Sequence, residues 1–186
     1  VTTLPGVNTI ADGTAVKTPG KNIFPYIQKN LDDIITVPDE ELVVAFLDIV
    51  ENHKMVVENS GLLTVAALKH LNVQNQRVVS ILSGGNMDII TMSSVVQQGL
   101  IFRDRIFTVS VLLPDKPGML SKVADVIAKE NGNVIKLEHN QFVSINRSAA
   151  VELRITLETF GTEHKNQIIK ELEEKGYQPK QVRTNI

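Results

Sequence analysis

The residues best suited to bind a ligand form one small polar turn: Ser83, Gly84, Gly85 and Asn86. The turn follows an apolar run rich in β-branched residues, 77–82, that is typical of a buried strand, and residues 87–99 after it are typical of a helix. Glycine has no Cβ, so the backbone here can approach a flat or anionic ligand that a side chain would exclude. We therefore expect a binding edge at the end of a strand, although the same pattern also occurs in α/β domains without a ligand.

Two further polar turns lie upstream. Residues 11–13 read Ala-Asp-Gly, which is a turn signal by its residue types alone. Residues 58–61 read Glu-Asn-Ser-Gly and follow a short apolar segment, 55–57. We expect Ser60 to cap a helix over residues 62–71, and Glu58 to lie at the end of a strand.

In order and spacing, these three turns resemble the C-terminal part of the catalytic domain of threonine dehydratases, which are pyridoxal-phosphate enzymes of the tryptophan-synthase-β type. The resemblance extends over nearly the whole chain. It implies that Ser83 faces the pyridine nitrogen of the cofactor, with Gly84, Gly85 and Asn86 shaping the adjacent backbone. It also implies that Glu58 lies near the ring edge, but a carboxylate that only interacts with the start of a helix fits Glu58 equally well.

No residue of this chain is predicted to be catalytic. The family's chemistry requires a lysine in a Ser-Phe-Lys-like context and a glycine-rich phosphate loop, and the sequence has neither pattern. Lys17, Lys54 and Lys69 stand among polar neighbours and are expected to be solvated. Four scattered histidines and paired acids do not suggest a metal site.

The resemblance therefore implies a threonine or serine dehydratase that converts L-threonine to 2-oxobutanoate and ammonia, whereas the chain alone is expected to be inactive. Two alternatives stay open. One is an amino-acid-binding regulatory module without catalysis. The other is a serine racemase or a related pyridoxal-phosphate lyase with the same Ser-Gly-Gly-Asn turn.

The second half of the chain predicts a complete small domain. Its pattern is strand, helix, strand, strand, helix, strand, which is a ferredoxin-like βαββαβ order with helices on one face of the sheet. The predicted strands are 106–113, 134–139, 150–159 and 177–182, and the predicted helices are 119–130 and 163–175. The helix before residue 134 is expected to end with Gly132 in the position after its C-cap.

This second half resembles an ACT domain, a regulatory module that usually binds amino acids between paired copies. The resemblance rests on residues 115–120 and 132–134 and implies an effector site with Asp115, Gly118 and Asn133. Gly118 would let the loop approach a ligand, and free amides at the helix start would favour its carboxylate. A plain strand-to-helix turn explains the residues at 115–118 as well.

Composition sets the broad class. The 186 residues are 42% hydrophobic and 22% charged, with a net charge of −2 and no cysteine. We expect ordinary packed cores, no nucleic-acid or membrane partner, a cytoplasmic location and no disulfide or thiolate chemistry. Expected partners are an amino-acid substrate, an amino-acid effector and further copies of the chain, with ACT domains pairing in a homo-oligomer.

The expected fold class is α/β with two domains. Residues 1–102 are predicted to be part of a three-layer, parallel-sheet domain of the tryptophan-synthase-β-like pyridoxal-phosphate fold, with strands at 33–37, 55–57 and 76–82. Residues 103–186 are predicted to form the ACT domain.

Overall fold

The computed structural model describes residues 1–141 and 151–185 and divides the chain into two compact units, Val1–Gly99 and a second unit beginning at Leu100. Each unit has its own cluster of buried apolar side chains. The mixed α/β class is confirmed, with a four-stranded sheet in the second unit. Among the described residues, no helix is long and apolar enough to cross a lipid bilayer.

Helices and short turns make up the regular structure of the first unit. The α-helices are α1 (Phe24–Asn30), α2 (Asp39–His53), α3 (Leu63–Ala66) and α4 (Ile89–Phe102), which continues past Gly99 into the second unit. Single 3₁₀ turns lie at Asp12–Thr14, Asn59–Leu62 and Ala67–His70. The helix predicted over residues 62–71 is thus broken into three short pieces.

The sequence of α2 explains both its ends and its packing. Three acidic residues occupy its first turn, where the partial positive charge of the helix dipole favours them. Leu42, Phe46 and Ile49 recur at helical spacing and are buried in the core of the first unit. The helix ends at His53, and Lys54 follows in the left-handed region with φ 57°.

The strands predicted at 33–37, 55–57 and 76–82 are not formed, since residues 1–105 contain no strand in the structure. A strand requires backbone hydrogen bonds to a neighbouring strand, and β-branched composition alone does not provide them. Among the described residues, the backbone hydrogen bond that joins two of these segments runs from the N–H of Glu58 to the carbonyl of Gly84 at 3.4 Å. The sequence pattern located the apolar segments but not the partners that a sheet needs.

The second unit forms an antiparallel sheet covered by two helices. Its elements are β1 (Ile106–Leu113), α5 (Met119–Lys129), β2 (Asn133–Asn140), β3 (Val151–Glu158), α6 (Thr162–Glu174) and β4 (Lys180–Val182). The strand order is β2-β3-β1-β4, which agrees with the predicted ferredoxin-like arrangement. The predicted third strand began at residue 150, which lies outside the described residues.

Alternate residues of β1 and β3 build the core of the second unit. Phe107, Val109 and Val111 on β1 face the same side as Leu153 and Ile155 on β3. They pack with buried side chains of both helices, namely Val123, Val126 and Ile127 of α5 and Ile168 and Leu172 of α6. By contrast, all eight residues of β2 are exposed.

The end of α5 differs from the prediction that Gly132 follows the C-cap. Asn131, rather than Gly132, takes the left-handed position with φ 60°. The N–H of Asn131 donates to the carbonyl of Ala128 at 3.0 Å, and the N–H of Gly132 donates to that of Ile127 at 2.9 Å, which is a Schellman motif. Gly132 is needed for space, because a Cβ there would lie 2.8 Å from the side chain of Ile127.

Candidate functional site

The Ser-Gly-Gly-Asn turn lies on the surface just before α4. Ser83, Gly84, Gly85 and Asn86 are all exposed. Gly84 has φ 79°, a conformation that favours glycine. No hydrogen bond of the Ser83 hydroxyl is found among the described residues, so the hydroxyl is open to a ligand.

Glu58 lies directly against this turn. A Cβ built on Gly84 would fall 2.2 Å from the carboxyl carbon of Glu58. The carboxylate thus occupies the space that a side chain at residue 84 would need. The structure brings together two of the predicted site residues that are far apart in sequence.

Backbone contact between two turns fixes the position of Ser83. A Cβ on Gly61 would lie 1.9 Å from the carbonyl oxygen of Ser83, so only glycine allows this approach. On the preceding segment, the carbonyl of Ile81 accepts a hydrogen bond from the Thr64 hydroxyl of α3 at 3.0 Å. Contacts from Gly61 and Thr64 therefore position the main chain at and before Ser83, while the Ser83 side chain has no partner among the described residues.

The Ala-Asp-Gly turn joins the same cluster. The side-chain amide of Asn59 donates to the carbonyl of Ile10 at 3.0 Å. A Cβ on Gly13 would lie 2.7 Å from the Ser60 hydroxyl oxygen. Ser60 makes no capping hydrogen bond to α3, contrary to the prediction. Among the described residues, Asn59 Oδ1 and Ser60 Oγ are buried without a hydrogen-bond partner.

Sequence reasoning missed Asp88, which fixes the start of α4. The Thr91 hydroxyl and the Thr91 and Ile90 N–H groups donate to its carboxylate, at 2.5, 3.0 and 2.9 Å respectively. These bonds, led by the Thr91 hydroxyl, hold the pKa of Asp88 below its ordinary value. An aspartate just before an apolar helical segment is a recognisable capping signal.

The predicted effector residues fall at two ends of the second unit's sheet. Asp115 and Gly118 line a cavity of about 330 Å³ beside the end of β1, together with His139 and Leu153. Gly118 has φ 83° and precedes α5. Asn133 lies at the opposite end of the sheet, where its amide donates to Glu158 at 3.1 Å. One copy of the chain does not bring the three residues together.

Comparison with known proteins finds a family match for a large part of each unit. Residues 1–84 match the pyridoxal-phosphate dependent enzyme family, and residues 107–176 match the ACT domain. The chain is thus similar to a segment of a pyridoxal-phosphate dependent enzyme followed by an ACT domain. This agrees with the resemblance inferred from the polar turns and from the βαββαβ pattern.

Several curated relatives contain both parts. An L-threonine ammonia-lyase of Geobacter sulfurreducens is 37% identical to this chain. The alignment covers 94% of this chain and 44% of the relative. An L-threonine ammonia-lyase of Thermotoga maritima is 32% identical over 93% of this chain and 43% of its length. The biosynthetic L-threonine dehydratase of Pasteurella multocida is 32% identical over 92% of this chain and 33% of its own length. The chain spans less than half the length of these relatives.

The residues of the first unit fit the cofactor that the enzyme family implies. The Ser83 hydroxyl is exposed and has no described partner, and the next residue, Gly84, lies against the half-buried Glu58 carboxylate. A Cβ on Gly61 would clash with the backbone carbonyl of Ser83, and a Cβ on Gly84 would clash with the Glu58 carboxylate. The nitrogen of a flat aromatic ring can share a hydrogen bond with a hydroxyl such as that of Ser83, and the exposed backbone of residues 84–86 leaves room for the ring.

Proposed function

We propose that this chain is part of a pyridoxal-phosphate dependent threonine ammonia-lyase, which deaminates L-threonine to 2-oxobutanoate and ammonia under the control of its ACT domain. The observation that carries the proposal is the joint match of both units to relatives of that activity over more than nine-tenths of the chain. We propose that the catalytic part ends at residue 102, the last residue of α4, and that the regulatory part begins at residue 103.

Pyridoxal phosphate, when bound, supplies an electron sink that makes the α-proton of an amino acid acidic. Ser83 would hold the ring nitrogen through a hydroxyl, which leaves that nitrogen close to neutral, whereas a carboxylate would keep it protonated. Glu58 would lie at the ring edge, while Gly84, Gly85 and Asn86 would line the ring with backbone. Such a neutral contact favours β-elimination of a hydroxyl group over reactions that need a full carbanion.

The 186 residues alone are proposed to be inactive, since their sequence has no lysine in the context that the family uses. The test therefore uses the natural protein that contains this chain, purified with pyridoxal phosphate. We expect L-threonine to yield 2-oxobutanoate and ammonia. Interconversion of L- and D-serine without release of a 2-oxo acid would instead support a serine racemase.

Ser83→Asp and Ser83→Thr test the ring contact in that protein. The aspartate variant should shift the absorption band of the bound cofactor and lower deamination, because it changes the protonation of the ring nitrogen. The threonine variant keeps a hydroxyl and should retain the band. An unchanged spectrum in Ser83→Asp would show that residue 83 does not contact the ring.

We also propose that the ACT domain binds an amino acid between two paired copies. Asp115 would take the ammonium group, and the first amides of α5 would take the carboxylate. Antiparallel pairing of two β2 strands would bring Asn133 of one copy toward the end of β2 in the other, which is the end that bears Asp115 and Gly118. The separation of these residues within one copy supports this arrangement.

Calorimetry with isoleucine, valine, serine and threonine tests the effector proposal. We expect at least one to bind, with Asp115→Asn weakening it about tenfold through loss of a charge-assisted hydrogen bond. If none of the four amino acids binds, the effector proposal is contradicted.

The expected homo-oligomer and cytoplasmic location stay predictions.

A further inference from the structure

A histidine near the end of β2 lines the cavity that holds Asp115 and Gly118. His139 lies opposite Leu153 of β3, so its side chain shares the helix-covered face of the sheet. β2 runs parallel to β1, because both pair antiparallel with β3, and it therefore ends at the edge of the sheet where α5 begins. The cavity, of about 330 Å³, thus has walls from two separate segments, the loop before α5 and the end of β2.

The floor of this cavity is aliphatic and closed. Leu113, Val151 and Leu153 line it, and each is at most 2% exposed, so a ligand can lie on the floor but cannot enter the core. Leu120 of α5 also lines the cavity and is 41% exposed. A ligand with a small apolar side chain would cover Leu120 and remove apolar surface from water. Its polar groups would then remain at the opening.

Three ionisable side chains stand at that opening. Asp115 and Lys116 are neighbours on the loop, and His139 comes from the strand; all three are exposed. Among the described residues, neither the Asp115 carboxylate nor the His139 ring has a hydrogen bond or an ion pair. Both groups are therefore free to meet a ligand. An acceptor and a potential donor on separate walls match the two charged ends of an amino acid.

The carboxylate of such a ligand needs more donors than the start of α5 provides. A carboxylate has two oxygens and about four acceptor sites, so one or two helix amides leave part of it unpaired. The imidazole of His139 carries one N–H when neutral and two when protonated, and hence always has a donor. Lys116 is less suited, because its longer side chain loses more conformational freedom when ordered and it stands beside Asp115, where the ammonium would lie.

We propose that His139 binds the α-carboxylate of the effector, so that this cavity selects free amino acids over their carboxamides. The inference rests on the proposed effector site and names the part of the ligand that the site requires. A carboxamide has no charge and only one acceptor oxygen, and therefore loses the charge-assisted hydrogen bond from His139.

The test is calorimetry of the 186-residue chain with isoleucine, valine, serine and threonine and with the carboxamide of each. For every amino acid that binds, the carboxamide should bind at least about thirtyfold more weakly to the wild-type chain. His139→Leu should lower this ratio of dissociation constants about tenfold, because the ring interacts with the acid and not with the amide. His139→Gln keeps an N–H donor and should lower the ratio by less than about threefold.

Lys116→Met is the matched control, since it removes a cation from the same opening. We expect it to change the ratio by less than about threefold, because Lys116 is not the partner of the carboxylate. An equal ratio in the wild-type chain and in His139→Leu would overturn the assignment of His139, and so would a tenfold fall in Lys116→Met in its place. If none of the four amino acids binds the wild-type chain, the effector site itself is contradicted, and this inference with it.

Discussion

Gly84 shows how one residue type determines the shape of the candidate site. Its left-handed backbone, with φ 79°, disfavours any side chain, and Glu58 fills the space where a Cβ would lie. We expect Gly84→Ala to destabilise the first unit by about 1–2 kcal/mol from backbone strain alone. The displaced Glu58 carboxylate adds to this loss.

Hydrogen exchange of the α2 amides measures that effect, and Gly85→Ala is the matched control. A Cβ on Gly85 would meet only the carbonyl oxygen of Val56 at 3.7 Å, which is an ordinary contact. The control should therefore retain nearly full protection of α2. Equal protection in the two variants would show that the contact between Glu58 and Gly84 is unimportant for stability.

Glu152 on β3 gives the second unit a predictable response to acid. The Ser110 hydroxyl donates to its carboxylate at 2.7 Å, and Arg154 contacts the same oxygen at 3.0 Å. These contacts, with Ser110 foremost, lower the pKa of Glu152 in the folded chain despite the opposing effect of burial. Since the folded pKa is below the unfolded one, this stabilisation is present at neutral pH and is lost as the pH falls through the folded pKa.

Ser110→Ala should raise the pKa of Glu152 toward its ordinary value and reduce stability at neutral pH more than in acid. Carbon-detected NMR titration of the Glu152 carboxyl measures the pKa, and urea unfolding at several pH values measures the stability. Ser121→Ala, at an exposed position on α5, is the control. A Glu152 pKa that does not move in Ser110→Ala would refute the assigned cause.

At the scale of elements, β2 is the strand that we expect to be covered by a second copy of the chain, because it is an exposed edge strand. All eight of its residues are exposed, and its outer edge has no partner strand in the part of the chain that the structure describes. Val134 and Leu137 lie opposite Leu157 and Ile155, so they share the helix-covered face and yet stay 39% and 41% exposed. Such a strand favours addition of another strand to its edge.

Leu137→Lys should therefore weaken association of the chain, because a charge on an edge strand opposes pairing. Sedimentation velocity should show more monomer. We expect the dissociation constant to rise about tenfold or more, and a tenfold rise corresponds to about 1.4 kcal/mol of binding free energy. Leu68→Lys places the same charge on an exposed apolar position of the first unit and should leave association unchanged. An identical oligomeric state in the two variants would exclude β2 as the interface.

For the whole molecule, the two separate cores predict two separate responses to core substitutions. Leu157 and Leu42 are both fully buried, one in each core. Leu157→Ala should cost about 2–5 kcal/mol and lower hydrogen-exchange protection in the sheet of the second unit while α2 keeps its protection. Leu42→Ala should do the reverse, and loss of protection in both units from either change would contradict the division.

The two units also differ in how well the sequence predicted them. In the second unit, the apolar residues follow the spacing of strands and helices, and β1 and β3 find their partners within about 80 residues, so the predicted βαββαβ order was confirmed. In the first unit, apolar segments such as 76–82 were predicted as strands and form none, because β propensity reflects tertiary partners as much as composition.

The candidate site was predictable in its turns but not in its contacts. Ser83 and Gly84 stood out by residue type, whereas the carboxylate of Glu58 over Gly84 depends on how distant segments pack. The same holds for the unpaired Asn59 oxygen, since a sequence does not reveal which polar atoms lose their water.

The contact between Gly61 and Ser83 has a practical consequence for protein engineering. The carbonyl of Ser83 packs against a residue without a side chain, so this contact is made by the backbone and not by the Ser83 side chain. A library of side chains at position 83 can therefore test the proposed ring contact while the backbone contact with Gly61 is kept. Position 61, in contrast, must be excluded from any such library.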